Sequence, residues 1–180
     1  TKDYGLCYTK DGLAKVVGYA DSDWASDEED RKSTTGWVFI YMGAAICWKS
    51  KKQPGRAARS TAEAELIALD QAVREALWLR KMCKGLDIDV SPIGGAPTII
   101  VYEDNEACLN IANGSRWSQE TKHVQVKHFA VREDVRDKRV EVLRVDTAEN
   151  IADMFTKALG RVKFQKFRKM MGVVPVGVFA

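Results

Sequence analysis

The chain has 180 residues and a net charge of +3 at pH 7, and 46% of its residues are hydrophobic and 29% charged. This length and composition are typical of one soluble globular domain with a substantial core, and they exclude a disordered or low-complexity chain. No run approaches the roughly 20 apolar residues of a membrane span, so a membrane-spanning protein is excluded as well. The four cysteines have no CxxC or zinc-type spacing, and we expect them to be reduced and buried.

In the first third of the chain, the residue pattern predicts antiparallel strands. A run of apolar residues leads directly into Asp21, and the next strand-like run is rich in β-branched and aromatic residues. Met42 and Gly43 then turn the chain into a third strand. The expected strands span residues 4–9, 15–21, 33–41 and 44–49, and a basic loop follows at 49–55.

In the rest of the chain, the residue pattern predicts helices with two further strands between them. Apolar residues recur at helical spacing from Ala62 to Leu77, Ser60 or Thr61 can cap this helix, and Gly85 suits the position after its last residue. The order of elements predicts one α/β domain in which a mixed sheet has helices on both faces. The later elements are expected to be strands at 98–102 and 140–145, helices at 104–113, 123–138, 147–157 and 164–171, and a frayed tail at 173–180.

Four carboxylates occupy positions where ligands collect in such a fold. Asp21 ends a strand and Asp104 directly follows one, whereas Glu65 and Asp153 lie early in helices. Brought together, these acids would repel one another unless cations neutralised them, and oxygen ligands suit Mg²⁺ or Mn²⁺. Two such ions about 3.5–4 Å apart can activate a water against a phosphodiester. For any one of these acids alone, a helix cap or a helix-dipole partner is the simpler interpretation.

Seven motifs occur in the order found in one family of polyproteins. They are GYADSDWA at 18–25, DRKSTTGW at 30–37, WKSKKQ at 48–53, STAEAE at 60–65, EDN at 103–105, TKH at 121–123 and ADMFTK at 152–157. Over residues 4–173 the chain resembles the ribonuclease H domain at the C-terminus of Ty1/copia-type LTR retrotransposon Pol polyproteins. The resemblance implies a ribonuclease H-like fold, with a five-stranded mixed sheet of three antiparallel strands and then two parallel strands, flanked by helices.

The resemblance also implies an activity, its cofactors and its setting. We expect hydrolysis of the RNA strand of RNA–DNA hybrids with two Mg²⁺ or Mn²⁺ ions, during reverse transcription in cytoplasmic virus-like particles. The implied catalytic residues and metal ligands are Asp21, Glu65, Asp104 and Asp153. Residues 1–12 correspond to the junction with a covalently linked reverse transcriptase, 13–160 to the ribonuclease H domain, and 161–180 to a C-terminal helix and tail.

Two departures from the family pattern concern the segment after residue 121. Gln125 stands where relatives usually carry an acid, and Phe129 stands where they tend to carry a histidine, with His128 one place earlier. Many cellular ribonucleases H also have a mobile histidine near the fourth acid, which this chain lacks. His123 or His128 can substitute for it, although a structural helix histidine is the simpler interpretation. We therefore expect modest turnover.

Basic and polar residues near the start of the long helix are candidates for holding the hybrid. Lysines and arginines in this region are expected to contact phosphates without reading sequence. Polar groups near the metals are expected to meet 2′-hydroxyls. Trp48 is either a sugar-stacking residue or, more simply, a core tryptophan. The predicted contacts are Lys49, Lys51, Lys52, Gln53, Arg56, Arg59, Ser60 and Asn105.

Two other functions remain open at this stage. The first is a non-catalytic domain that binds the hybrid or docks onto the reverse transcriptase, which would explain the departures around 123–129. The second is a related carboxylate nuclease or transferase acting on DNA. The presence of four acids rather than three, together with the motifs, favours the ribonuclease over this second alternative.

Overall fold

The computed structural model describes residues 2–10, 12, 14–25, 29, 31–88, 98–114 and 130–179. Its strands are β1 (Tyr4–Leu6), β2 (Val17–Asp23), β3 (Thr34–Tyr41), β4 (Ala44–Lys52), β5 (Ile99–Glu103), β6 (Val140–Arg144) and β7 (Val173–Pro175). Its α-helices are α1 (Thr61–Gly85), α2 (Glu106–Ala112), α3 (Ala130–Arg136) and α4 (Arg161–Met170). Two short 3-10 helices span Ile151–Phe155 and Val176–Phe179. We call the first of these the 151–155 helix.

The central sheet has five strands in the order β4-β3-β2-β5-β6. The β2–β3 and β3–β4 pairs are antiparallel, whereas the β2–β5 and β5–β6 pairs are parallel. The predicted mixed sheet of three antiparallel and two parallel strands is therefore confirmed. In the parallel pair Tyr19 lies beside Tyr102, and continuing that register two residues further places Asp21 beside Asp104.

Opposite faces of the sheet pack against different helices, as the alternation of side chains along β3 requires. Trp37 and Phe39 join the core that contains Leu66 and Leu69 of α1. Val38 and Ile40 pack on the other side in a core with Phe167 of α4, and the 151–155 helix contributes there as well. The sheet is thus covered on both faces and its central strands are buried.

The long helix begins where its sequence predicts. The Ser60 hydroxyl accepts a hydrogen bond from the backbone N–H of Glu63 at 3.1 Å, which satisfies one of the unpaired donors of the first turn. The helix includes Gly85, so the expectation that Gly85 follows it is wrong. The left-handed residue after the helix is Asp87, with φ of 55°.

Two predicted boundaries change because of contacts distant in sequence. The strand β4 continues to Lys52 because it pairs with β3 as far as Thr34, so the predicted loop at 49–55 begins later. The predicted helix at 147–157 is the shorter 151–155 helix. Its N-cap is Asn150, whose side-chain oxygen accepts from the N–H of Ala152 at 3.2 Å.

The predicted frayed tail is ordered in part. Strand β7 pairs antiparallel with β1 in a separate two-stranded sheet, with Leu6 opposite Val173. The partner strand lies some 170 residues away in sequence, so a local pattern could not reveal this pairing. The first residues of the predicted helix at 123–138 lie outside the described part of the chain, and α3 accounts for the rest.

Two predictions from composition can be compared with the structure. None of the helices in the described residues combines the length and the apolar character needed to cross a membrane. All four cysteines are free, but only Cys83 and Cys108 are buried, while Cys7 and Cys47 are half-buried.

The close approach of β3 to the 151–155 helix depends on Gly36. A Cβ at this position would lie 2.6 Å from Cγ2 of Thr156 and 2.8 Å from Cβ of Phe155. We expect Gly36→Ala to lower the free energy of unfolding by about 1–3 kcal/mol, because overpacking forces the helix away from the strand. Urea denaturation followed by circular dichroism measures this change.

The matched control for that substitution is Gly85→Ala. A Cβ at Gly85 meets nothing within 4 Å, and the residue lies in the last turn of α1. Alanine there should leave stability unchanged or raise it by up to about 1 kcal/mol through helix propensity. Equal loss of stability in the two variants would contradict the packing argument.

Candidate active site

Three of the four predicted carboxylates converge at the end of the central strands. Asp21 lies on β2, Glu65 in the second turn of α1, and Asp104 directly after β5. One carboxylate oxygen from each lies within 4.8 Å of the other two. The parallel register of β2 and β5 and the packing of α1 on the sheet produce this arrangement.

Burial makes the negative charge of this cluster costly. Asp21 is 2% exposed, and burial raises its pKa to about 7 against the opposing effects of the Thr156 hydroxyl and the Lys157 ammonium. Burial, followed by the charges of Asp21 and Asp104, raises the pKa of Glu65 to about 9. Oε2 of Glu65 has no hydrogen-bond partner among the described residues. Glu65 therefore favours its protonated form at neutral pH, and Asp21 does so in part, unless a cation replaces the protons.

A fifth acid, Glu103, lies beneath the cluster. Its side chain is fully buried, and Oε1 accepts the backbone N–H of Asn105 at 3.0 Å. Burial and then the charge of Glu65 raise its pKa well above the usual range. Sequence reasoning passed over Glu103, although the alternation along β5 places it on the same inward side as Ile99 and Val101.

The fourth predicted ligand, Asp153, is fully buried but binds lysines. Its Oδ1 lies 2.8 Å from Nζ of Lys157, and its Oδ2 contacts Nζ of Lys163. Within the described residues it is not part of the group of three converging carboxylates. Its assignment as a metal ligand stays a prediction.

The segment that carries Asp153 is attached to β2 at several points. The Asn150 side-chain amide donates to the backbone carbonyl of Ala20 at 2.9 Å. The Thr156 hydroxyl donates to Oδ2 of Asp21, and Nζ of Lys157 lies 3.5 Å from the same oxygen. The 151–155 helix is thereby fixed against the strand that carries Asp21.

Lys157 was not predicted as a site residue. Burial lowers the pKa of its amine, but the hydrogen bond to Asp153 and the charges of Asp21 and Asp153 outweigh burial and raise it above the usual range. The side chain therefore remains an ammonium ion. Its position four residues after Asp153, on one face of a helical turn, is the signal that sequence reasoning had available.

The predicted phosphate contacts are mostly accessible. Lys51, Lys52, Arg56 and Arg59 are exposed, and Lys49 is half-buried with Nζ 6.0 Å above the ring of Trp37. Trp48 is 53% exposed, so the simpler expectation of a core tryptophan is wrong. The outer strand of the sheet thus presents a basic edge, which we define as residues 48–52.

Three predicted polar contacts make internal hydrogen bonds. Gln53 is 4% exposed, and its amide donates to Oγ1 of Thr35 at 3.0 Å and to the carbonyl of Ala64 at 2.9 Å. These contacts hold the Gln53 side chain in the interior, and its contact with phosphate or sugar stays a prediction. Ser60 caps α1, and Oδ1 of Asn105 accepts the N–H of Cys108 at 2.9 Å.

The roles predicted for Ser60 and Asn105 toward nucleic acid stay predictions. Both hydrogen bonds use the side-chain oxygen as an acceptor, which is the ordinary behaviour of an N-cap. Four residues discussed from the sequence, Gln125, Phe129, His123 and His128, lie outside the described residues.

Comparison with known sequences identifies relatives over almost the whole chain. The chain is 36% identical over 170 residues to the retrovirus-related Pol polyprotein from transposon TNT 1-94 of Nicotiana tabacum. It is 33% identical over 177 residues to the retrovirus-related Pol polyprotein from transposon RE2 of Arabidopsis thaliana. These matches cover 94% and 98% of this chain, which spans 12% of the length of each polyprotein. No protein-family model matches the chain.

Solved structures identify the fold. LC11-RNase H1, isolated from compost by a metagenomic approach, superposes with a TM-score of 0.58 at 16% identity, over 80% of this chain and 94% of that chain. The crystal structure of LC11-RNase H1 in complex with an RNA/DNA hybrid gives a TM-score of 0.57 at 15% identity, over 79% of this chain and 94% of that chain. The chain is thus a homologue of the Pol polyproteins of copia-type transposons, with a ribonuclease H fold.

Proposed function

We propose that this chain is a metal-dependent endoribonuclease that hydrolyses the RNA strand of RNA–DNA hybrids during reverse transcription of a retrotransposon. The convergence of Asp21, Glu65 and Asp104 within 4.8 Å is the observation that carries the proposal. The ribonuclease H fold and the hybrid bound to LC11-RNase H1 support this substrate. The homology to Pol polyproteins supports a covalently linked reverse transcriptase as the partner.

The residues of the cluster fit a divalent cation. All three ligand groups are carboxylates, which suit hard cations such as Mg²⁺ and Mn²⁺. Glu65 also has an oxygen that no described residue satisfies. We assign Asp21, Glu65 and Asp104 as ligands, with Asp153 as the fourth acid of a two-ion arrangement. Ions bound there supply activation of water and stabilisation of the leaving oxygen.

Residues of the chain set the side from which the scissile phosphate reaches the carboxylates, and they hold these carboxylates in place. Asp104 is the half-exposed member of the cluster, so the phosphate reaches the buried acids from its side. Glu103 fills the space beneath with a side chain that points into the core. The hydrogen bonds from Asn150 to the Ala20 carbonyl and from Thr156 to the Asp21 carboxylate hold Asp21 in place before a ligand binds.

The basic edge is placed to hold the same nucleic acid. Ser50 pairs with Gly36, and Gly36 pairs with Asp21, so the three residues form one row across the sheet. Adjacent strands are about 4.8 Å apart, which puts the edge about 10 Å from Asp21. Lys49 and Lys51 flank Ser50 along the strand, so their side chains leave the sheet on the opposite face from Asp21. They belong to the outer strand, from which long lysine side chains can reach phosphates near the one that is cleaved.

Proton binding links this site to stability. Asp21 and Glu65 have pKa values of about 7 and about 9 in the folded chain, against 3.8 and 4.5 in the unfolded chain. At pH values between the unfolded-state pKa and the folded-state pKa of each acid, the folded state binds more protons than the unfolded state. The free energy of unfolding therefore falls as pH rises through this window. A bound divalent cation replaces those protons and removes the penalty.

The first prediction concerns cleavage. With Mg²⁺ or Mn²⁺ the chain should cut end-labelled RNA in a hybrid, and EDTA should abolish cutting. Asp21→Asn and Asp104→Asn should each lower the rate at least about a hundredfold, because each removes a charged group from the site. Glu106→Gln, on an exposed carboxylate two residues after Asp104, should cleave like the parent. Hybrid binding without cleavage by the parent would instead support a docking domain.

The second prediction concerns pH. In EDTA, the free energy of unfolding from urea titrations should decrease from pH 5 to pH 9, by at most about 1.4 kcal/mol per pH unit for each extra proton bound. Glu65→Gln should make the decrease above pH 7 shallower, since glutamine resembles the protonated acid, while Glu103 with its raised pKa remains. Excess Mg²⁺ should flatten it in the parent. A free energy of unfolding that rises with pH in EDTA would refute the buried-acid account.

The third prediction concerns the basic edge. Lys51→Ala should weaken hybrid binding and reduce the slope of log Kd against log salt concentration by about one, as expected for loss of one phosphate contact. Fluorescence anisotropy at several salt concentrations measures this slope. Lys2→Ala, which removes an exposed lysine near β1, should leave the slope unchanged. Equal effects of the two substitutions would show that binding does not involve the edge.

A further inference from the structure

One ammonium group lies between two acids of the candidate site. Nζ of Lys157 is 3.5 Å from Oδ2 of Asp21 and 2.8 Å from Oδ1 of Asp153. Both carboxylates are buried, with side-chain exposures of 3% and 1%. Lys157 thus bridges the catalytic strand and the 151–155 helix with a positive charge.

The remaining oxygen of Asp153 is occupied as well. Lys163 of α4 contacts Oδ2 of Asp153, and the same ammonium donates to the carbonyl of Thr147 at 3.2 Å. Asp153 therefore has a lysine at each oxygen, whereas the group formed by Asp21, Glu65 and Asp104 has Lys157 only at its edge. Among the described residues, these two ammonium groups therefore lie on the Asp153 side of the four acids.

We propose that Lys157 is a built-in counter-ion that limits the site, in the absence of nucleic acid, to one tightly bound divalent cation. The three converging carboxylates bind that cation. A second cation held by Asp21 and Asp153 would compete with the Lys157 ammonium for their carboxylate oxygens. This inference rests on the proposed function, because it concerns the cations of the same site.

The length and attachment of Lys157 suit this role. It follows Thr156, whose hydroxyl donates to Oδ2 of Asp21, so the backbone beside the lysine is held close to the strand. The side chain is 38% exposed, so it can turn toward solvent without disturbing the core. Lys163 contacts Asp153 but has no ion pair with Asp21 among the described residues, so its ammonium offsets the charge of Asp153 alone.

Calorimetric titration of Mn²⁺ into the metal-free chain, without nucleic acid, tests the proposal. The parent should bind one ion tightly. Lys157→Met should bind a second ion at least about tenfold more tightly than the parent does, since removing a neighbouring like charge typically changes ionic equilibria by that factor or more. Lys157→Arg, which keeps the charge, should titrate like the parent.

Lys166→Met is the matched control. Lys166 lies on α4 with Lys163, pairs with Glu149 and the carbonyl of Ala148, and has no ion pair with Asp153 in the described structure. Its removal should leave the isotherm unchanged. If Lys157→Met fails to fold by circular dichroism, Lys157→Gln takes its place, since glutamine keeps a hydrogen-bond donor.

The outcomes separate this inference from the proposed function. An isotherm of Lys157→Met or Lys157→Gln that superposes on that of the parent overturns the counter-ion role. Asp104→Asn tests the proposed metal centre alone, because it should remove the tight site. Retention of that tight site in Asp104→Asn would contradict the proposed metal centre. Even then, the counter-ion role of Lys157 would be judged separately, from the number of ions that Lys157→Met and the parent bind.

Discussion

The burial of a carboxylate in the central strand is the constraint on which the rest of the structure depends. Asp21 is 2% exposed between β3 and the end of β5, where an isolated charge is strongly unfavourable. The Thr156 hydroxyl and the Lys157 ammonium stabilise this carboxylate. Both come from one segment, so the position of the 151–155 helix follows from the charge on β2.

That compensation is incomplete on the other side of the strand. Glu65 and Asp104 add negative charge, and Glu103 lies buried beneath them with its own raised pKa. A hydrophobic core thus surrounds an acidic centre whose negative charge is not balanced, and such centres are candidates for functional sites. Under the proposed function, the stability lost there is the cost of a site that is assembled before its cation and substrate arrive.

Much of the fold and part of the site could be predicted from the sequence. Alternation and helical periodicity identify β2, β3, β5 and α1, and these elements alone bring Asp21, Glu65 and Asp104 together. Most of the features that were missed depend on contacts distant in sequence. Gln53 is buried because β3 and α1 enclose it, and β7 is ordered because β1 pairs with it. Lys163 was missed because α4 reaches the site only through tertiary packing, whereas Lys157 was missed although it stands four residues after Asp153 in the sequence.

The central claim is that Asp21, Glu65 and Asp104 hold a divalent cation. Anomalous diffraction at the manganese edge, from crystals of the chain soaked in Mn²⁺, locates such an ion directly. The account predicts a peak within coordination distance of one oxygen from each of the three carboxylates, about 2.0–2.3 Å for an ion of this kind. A fully occupied ion elsewhere, with no peak among these three side chains, would contradict it.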